Sequence, residues 1–144
     1  MRLSEQDART RLGSARVAVL TTAGADGIPH LVPITFALEG DRIYSAVDHK
    51  PKTSTHLRRL RNIAQNPQVA VLAQEYSEDW DALWWVRVDG RAAVTSQAEE
   101  GGHPLDMLAR RYDQYRERRP EGPVIVVSIE RWTGWAGGSP PLAP

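Results

Sequence analysis

The sequence predicts a mainly β, α+β domain: a six-stranded antiparallel β-barrel with a few flanking helices. Three observations predict it. Six short runs rich in apolar and β-branched residues follow one another at close spacing. Only a few helical stretches interrupt them, which argues against alternating βαβ units and for a small closed sheet. No GxGxxG opens a helix after a strand, so a doubly wound dinucleotide-binding sheet has no support. The 144 residues fit one domain, expected over residues 1–136, with the Gly- and Pro-rich stretch 137–144 as a flexible tail.

In chain order, Ser4 caps a short helix, with Asp7 three residues on as a capping-box variant. Leu3, Ala8, Leu12 and Ala15 give that helix an apolar stripe. Val17 to Thr22 reads as a buried strand, and Asp26-Gly27 ends the turn after it, a hairpin signal. The second strand, Ile28 to Leu38, puts Val32, Ile34 and Phe36 on one side and Pro33 and Thr35 on the other. Pro33 cannot donate to a ladder, so it marks a bulge or an edge. Glu39-Gly40-Asp41 turns the chain into a third strand, Arg42 to Val47. A helix over Thr53 to Asn66 follows, with Leu57, Leu60, Ile63 and Ala64 on one face, and Asn66-Pro67 stops it. Gln68 to Gln74 is a fourth strand, and Leu83 to Ser96 a long fifth, bent at Asp89-Gly90. His103 to Arg118 is a helix with Leu105, Leu108 and Tyr112 inward, and Val124 to Ile129 is the last strand.

Composition excludes several functions. With no cysteine, the chain has no disulfide, thiolate zinc site, iron–sulfur cluster or thiol nucleophile. The absence fits a reducing cytoplasm. The charged start, Met1 to Arg16, is no signal peptide, and no apolar run approaches the ~20 residues of a membrane span. The 18 basic and 18 acidic residues cancel, so a general nucleic-acid or anionic-membrane surface is not expected. The four histidines form no HxxxH or HExxH pair, which argues against a metal site. Ser45 has no nucleophile elbow, and the hydroxyls near Lys52 lack a phosphate-loop pattern.

One local charge cluster stands out. Between Asp48 and Glu75 there is no acidic residue, and Lys50, Lys52, Arg58, Arg59 and Arg61 fall in that gap. A solvated basic helix face is one reading. An anion site is the other, because the charges begin in a loop ahead of a helix start, beside Thr53, Ser54 and Thr55. The ligand suited to it is a phosphate monoester or diester. The five tryptophans leave two readings open as well: walls of a planar-ligand pocket, or core and subunit interface. Trp84 and Trp85, adjacent in a strand, must face opposite sides, and Trp85 is favoured for a pocket.

The stretches DHKPK, LRRLRNIAQNP, EDW and LWWVRVDG, set in this order of strands and helix, resemble the pyridoxamine-phosphate-oxidase-like flavoproteins, and among them the small deazaflavin-dependent branch. The resemblance covers Val17 to Val94 well and the rest in outline. It implies an FMN-binding type of split β-barrel, a homodimer, and a cofactor in the groove at the interface. It implies that Val32, Pro33, Ile34 and Thr35 run beside an isoalloxazine-type ring and that Tyr44, Ser45, Ala46 and Val47 form the neighbouring strand. Lys52 matches the phosphate-binding lysine, supported by Lys50 and Thr53. Trp85 stands where pyridoxamine-phosphate oxidases often carry a glutamine. The end, Glu130-Arg131-Trp132-Thr133-Gly134-Trp135, lacks the arginine-rich motif with which those oxidases grip their substrate. These departures turn the expectation from pyridoxamine phosphate to coenzyme F420 as hydride donor for a small conjugated organic substrate. No catalytic side chain is expected, because the cofactor carries the chemistry. The alternatives are an FMN-binding oxidase or reductase, and a non-catalytic protein for a flavin- or haem-type ligand.

Overall fold

A computed structural model describes residues 1–47, 54–96 and 102–138, without side chains for 54–57. Seven strands form one antiparallel sheet in the order β2-β1-β5-β6-β7-β4-β3. They are β1 (Ala18–Ala23), β2 (Pro29–Ile34), β3 (Ala37–Glu39), β4 (Arg42–Ala46), β5 (Gln68–Glu75), β6 (Trp84–Thr95) and β7 (Val124–Ala136). The helices are α1 (Glu5–Ser14), α2 (Ser54–Gln65), α3 (Gly102–Arg111) and α4 (Asp113–Glu117), with a 3-10 turn over Trp80–Ala82. No described helix is long and apolar enough to cross a membrane.

The expected second strand is two strands, and this one difference explains the barrel. β2 and β3 lie at opposite edges of the sheet, yet only Thr35 and Phe36 separate them. Three Cα steps reach at most about 11 Å, whereas the edges of a flat seven-stranded sheet stand roughly 29 Å apart. The sheet must therefore curl until its edges nearly meet, and Thr35-Phe36 is the joint. Phe36, 0% exposed, fills the inside of that joint. Its backbone has left the ladder and must be satisfied otherwise. Its N–H donates to the Tyr112 hydroxyl at 3.2 Å, and its carbonyl accepts from Arg111 Nη1 at 2.8 Å.

The same contact corrects the helix expected over His103 to Arg118. Tyr112 adopts an extended conformation (φ −123°, ψ 121°) between α3 and α4. Its hydroxyl also donates to the Arg16 carbonyl at 2.8 Å, so the ring is drawn out of helical geometry and α4 sets off in a new direction. Leu105, Leu108 and Tyr112 do face inward.

The last strand runs to Ala136 rather than Ile129. Along β7 the inward residues are Ile125, Val127 and Ile129, then Trp132, Gly134 and Ala136, opposite Val88, Val86 and Trp84. The parity changes because Asp89 pairs with Arg131 while Gly90 pairs with Ile129. Glu130 is thus the extra residue of a β-bulge. Gly90 permits it: a Cβ there would lie 2.3 Å from the Ser128 carbonyl oxygen.

The barrel interior holds Leu20, Ile34, Phe36, Ile43, Val71, Val86, Val88 and Val127, closed by Ala8 and Leu12 of α1 and Ile63 of α2. Ser4 caps α1 by accepting from the Asp7 N–H at 3.1 Å, as expected. On α2 the buried face differs from the expected one. Ala64 is exposed and Asn62 is buried instead, because Asn62 Nδ2 donates to the buried Thr22 hydroxyl at 3.1 Å. A second, smaller cluster lies outside the barrel, where Leu105, Leu108 and Tyr112 cover Ala37, Tyr44, Ala46, Val124 and Val126. β2 is an edge strand with Pro33 exposed on it, the edge reading of that proline.

Candidate functional site

The end of β2 and the end of β4 converge on Thr35. The Ser45 hydroxyl donates to the Thr35 carbonyl at 2.9 Å. Thr35 Oγ1 lies 2.7 Å from the Tyr115 hydroxyl, either of which donates to the other. Tyr115 belongs to α4, so the break at Tyr112 is what carries it there. Its ring meets that of Tyr112 edge-on, with centroids 5.7 Å apart.

Arg59, on α2, lies within electrostatic range of Tyr115. It lies four residues before Ile63 and so shares its helical face, which turns the guanidinium stem inward and leaves it half-buried. Arg59 Nε is sealed from solvent and has no hydrogen-bond partner among the described residues. Burial pulls its pKa below the usual guanidinium value, and the Tyr115 phenol acts on it in the opposite direction. No carboxylate contributes to that balance. Arginine stays charged regardless, so this is a half-buried cation with an unused donor. Such a group is costly without an acceptor. With the Tyr115 phenol within electrostatic range, it suits an anionic oxygen, phosphate above all.

The remaining expected site residues are distributed as follows. Val32 is half-buried, Pro33 exposed and Ile34 buried in the barrel. Val47 also points into the barrel, whereas the side chains of Tyr44 and Ala46 lie under α3. The Tyr44 hydroxyl donates to Glu39 Oε1 at 2.8 Å, and His103 Nε2 sits 2.8 Å from the same oxygen. Burial, then the bond to Glu39, pushes the Tyr44 pKa up. Lys50, Lys52 and Thr53 lie outside the described residues.

Trp84 and Trp85 face opposite sides, as required. Trp84 is in the barrel core. Trp85 is half-buried on the outer face, between Gln74 and Trp135 on the neighbouring strands. Pro33 is on that outer face too, in a row with Val19, Leu72 and Arg87. Trp85 is therefore three strands away from β2, roughly 14 Å, and one protomer does not bring the two together. Over β2 and β1 the row and its surroundings are apolar, with Val17 56% exposed, Ile28 54% and Leu31 61%, while on β6 Arg87 pairs with Asp89 at 3.2 Å. Among the described residues, the buried apolar side chains Ala8 and Leu12 of α1 and Ile63 of α2 belong to the barrel interior, and Leu105 and Leu108 of α3 to the β3–β4–β7 side.

The sequence places Arg59 only within the basic cluster between Asp48 and Glu75, and it does not single out Tyr115. Arg59 carried a signal, its phase with Ile63. Tyr115 carried none, because its place depends on the break at Tyr112.

Comparison with known proteins adds the following. The family model described as pyridoxamine 5'-phosphate oxidase matches residues 4–136. An F420H2-dependent biliverdin reductase from Mycobacterium tuberculosis is 33% identical over 143 residues, covering 94% of this chain and 90% of the relative. Among solved structures, a FAD-binding protein from Mesorhizobium loti superposes with a TM-score of 0.71 at 21% identity, over 93% of this chain and 95% of the other. The heme storage protein HutZ from Vibrio cholerae gives 0.70 at 17% identity, over 94% and 95%. At these identities the solved structures establish the fold alone: a curled antiparallel split barrel.

Proposed function

This chain belongs to the pyridoxamine 5'-phosphate oxidase family, and on that premise we propose that it is an F420-dependent reductase acting on a small conjugated organic substrate. The observation that carries the reading is the 33% identity, over nearly the whole chain, to a reductase that uses the reduced deazaflavin. The sealed, unpartnered Nε of Arg59 supports a phosphate-bearing cofactor independently.

The coenzyme supplies a hydride when bound. The chain's own residues bind it, orient it and exclude water. In this reading the backbone of Val32, Pro33, Ile34 and Thr35 borders the ring, with Tyr44, Ser45, Ala46 and Val47 as the strand behind it. Lys50, Lys52 and Thr53 hold the phosphate together with Arg59, which joins the expected set. Trp85 supplies a flat apolar wall in place of an amide. A homodimer is part of the reading, built on the bare β2–β1–β5–β6 face. It is supported by the exposed Val17, Ile28 and Leu31 and by the separation of Trp85 from β2 within one protomer. We place this dimer in the cytoplasm, in keeping with the absence of cysteine.

The test is a titration of the purified protein with oxidised and reduced F420 and with FMN, followed by quenching of its tryptophans. Turnover of reduced F420 is then assayed against biliverdin and other conjugated acceptors. Saturable quenching by F420 below roughly tens of micromolar, with turnover, is the expected result. No saturation with F420 removes the reading. A yellow protein that releases FMN moves the function to an FMN enzyme, and tight binding without turnover moves it to a ligand carrier.

A further inference from the structure

We propose that Tyr115, on α4, is a direct ligand of the cofactor's phosphate, acting with Arg59 and Thr35, and that α4 is the wall that closes the phosphate end of the groove. This rests on the phosphate-bearing cofactor read above, and it adds a residue from a part of the chain that carries no family motif.

Arginine has donors only, so Arg59 Nε cannot be satisfied by another N–H, and no described group accepts from it. Two hydroxyls, Thr35 and Tyr115, stand together at 2.7 Å, and Tyr115 lies within electrostatic range of Arg59. With Thr35 donating to Tyr115, the Tyr115 proton is left for an anionic oxygen, a group to which a guanidinium and a phenol can both donate. The Ser45 bond to the Thr35 carbonyl fixes this corner to β4.

Tyr115 is also held as a ligand must be. Its ring packs edge-on against Tyr112, and Tyr112 is itself anchored to Phe36 and Arg16 through its hydroxyl. α4 is pinned back on α3 by Arg116 Nη1, which donates to the Ala109 carbonyl at 3.2 Å and to that of Arg110 at 3.1 Å. A hydroxyl so placed loses little freedom when an anion arrives, and that strengthens binding.

The experiment compares phosphate-bearing chromophores (F420 and FMN) with their phosphate-free counterparts, the deazaflavin chromophore and riboflavin, by tryptophan quenching. The proteins are wild type, Tyr115→Phe, Arg59→Gln and the double variant, each checked by circular dichroism. Phe keeps the ring contact with Tyr112 and removes only the hydroxyl. Tyr115→Phe is expected to weaken the phosphate-bearing ligand roughly three- to tenfold and to leave the phosphate-free one within about twofold. Arg59→Gln is expected to cost at least about tenfold, and the double variant less than the product of the two.

An equal loss on both classes of chromophore, or none on either, overturns the proposal while leaving the reductase reading intact. If wild type binds no chromophore, the reductase reading fails by itself. Calorimetric titration with inorganic phosphate then decides the site. Binding abolished in Arg59→Gln and weakened in Tyr115→Phe upholds it, and no binding to wild type overturns it as well.

Discussion

The two outer faces of the same curled sheet are treated in opposite ways. Over β3, β4 and the start of β7, Leu105, Leu108 and Tyr112 cover the outward side chains. The polar atoms there are paired too, Tyr44 and His103 both on Glu39. Over β2, β1 and β5 the outward residues, Leu31, Pro33, Val19 and Leu72, have no helix upon them among the described residues, and Leu31 is 61% exposed. Both faces obey the same two-residue alternation, so alternation does not decide which is covered. The difference lies in where the chain sends its helices. One face is completed by the chain itself, and the other is left for a second copy in the reading proposed here. Thr35-Phe36 joins the two faces, and Thr35 meets Tyr115 at that joint, where in the proposed reading Arg59 joins them and a groove between copies begins.

The comparison is broken most severely on the covered side. Leu108 is 0% exposed, so Leu108→Ala should cost about 2–5 kcal/mol, read as a lower denaturation midpoint with an unchanged slope. A loss below about 1 kcal/mol would mean that α3 is loosely seated and that the two faces differ less than described. On the bare side, Leu31→Asp should leave the fold intact by circular dichroism. The proposed dimer should weaken at least about a hundredfold, since carboxylates brought together in an apolar interface repel and lose water. Sedimentation velocity over a concentration series reads this directly. A variant as dimeric as wild type, or a wild type that is monomeric throughout, removes the assignment of that face.

How far the sequence reveals this contrast depends on which physical signal each residue carries. The Ser4 cap, the inward Leu105, Leu108 and Tyr112, and the opposed Trp84 and Trp85 were all legible, because each rests on local geometry. The joint was not. Val32, Ile34 and Phe36 keep one phase and all point inward, so periodicity runs straight through the place where the ladder stops. Along β7 the reverse holds: the bulge at Glu130 changes the inward parity, and a strand read by alternation ends at Ile129, seven residues before Ala136. The site was half legible. Thr35 and Ser45 fall on a recognisable strand order and do meet, through the Ser45 hydroxyl. The inward turn of Arg59 was readable from its spacing to Ile63. Tyr115 was not, since two residues far apart in sequence, Phe36 and Arg16, determine where α3 breaks.

The smallest effect expected is a pH dependence confined to the covered side. The bonds from His103 and then Tyr44, outweighing desolvation, hold the Glu39 carboxyl below its usual 4.5. A carboxylate whose pKa is depressed by folding stabilises the native state above its unfolded pKa. That contribution is lost as pH falls through the lower, folded value. Wild type should therefore melt higher than Glu39→Gln at pH about 6, and the gap should close toward pH about 3. The carboxylates of Asp41 and Asp106 are also held low, by Arg9 and Arg119, but they are present in both proteins and cancel in the difference. Glu39 is exposed, so the gap should be small and should shrink further in high salt. A gap that stays constant with pH would show that Glu39 acts there through shape and neutral hydrogen bonds, and that its charge does not help to hold α3 over β3 and β4.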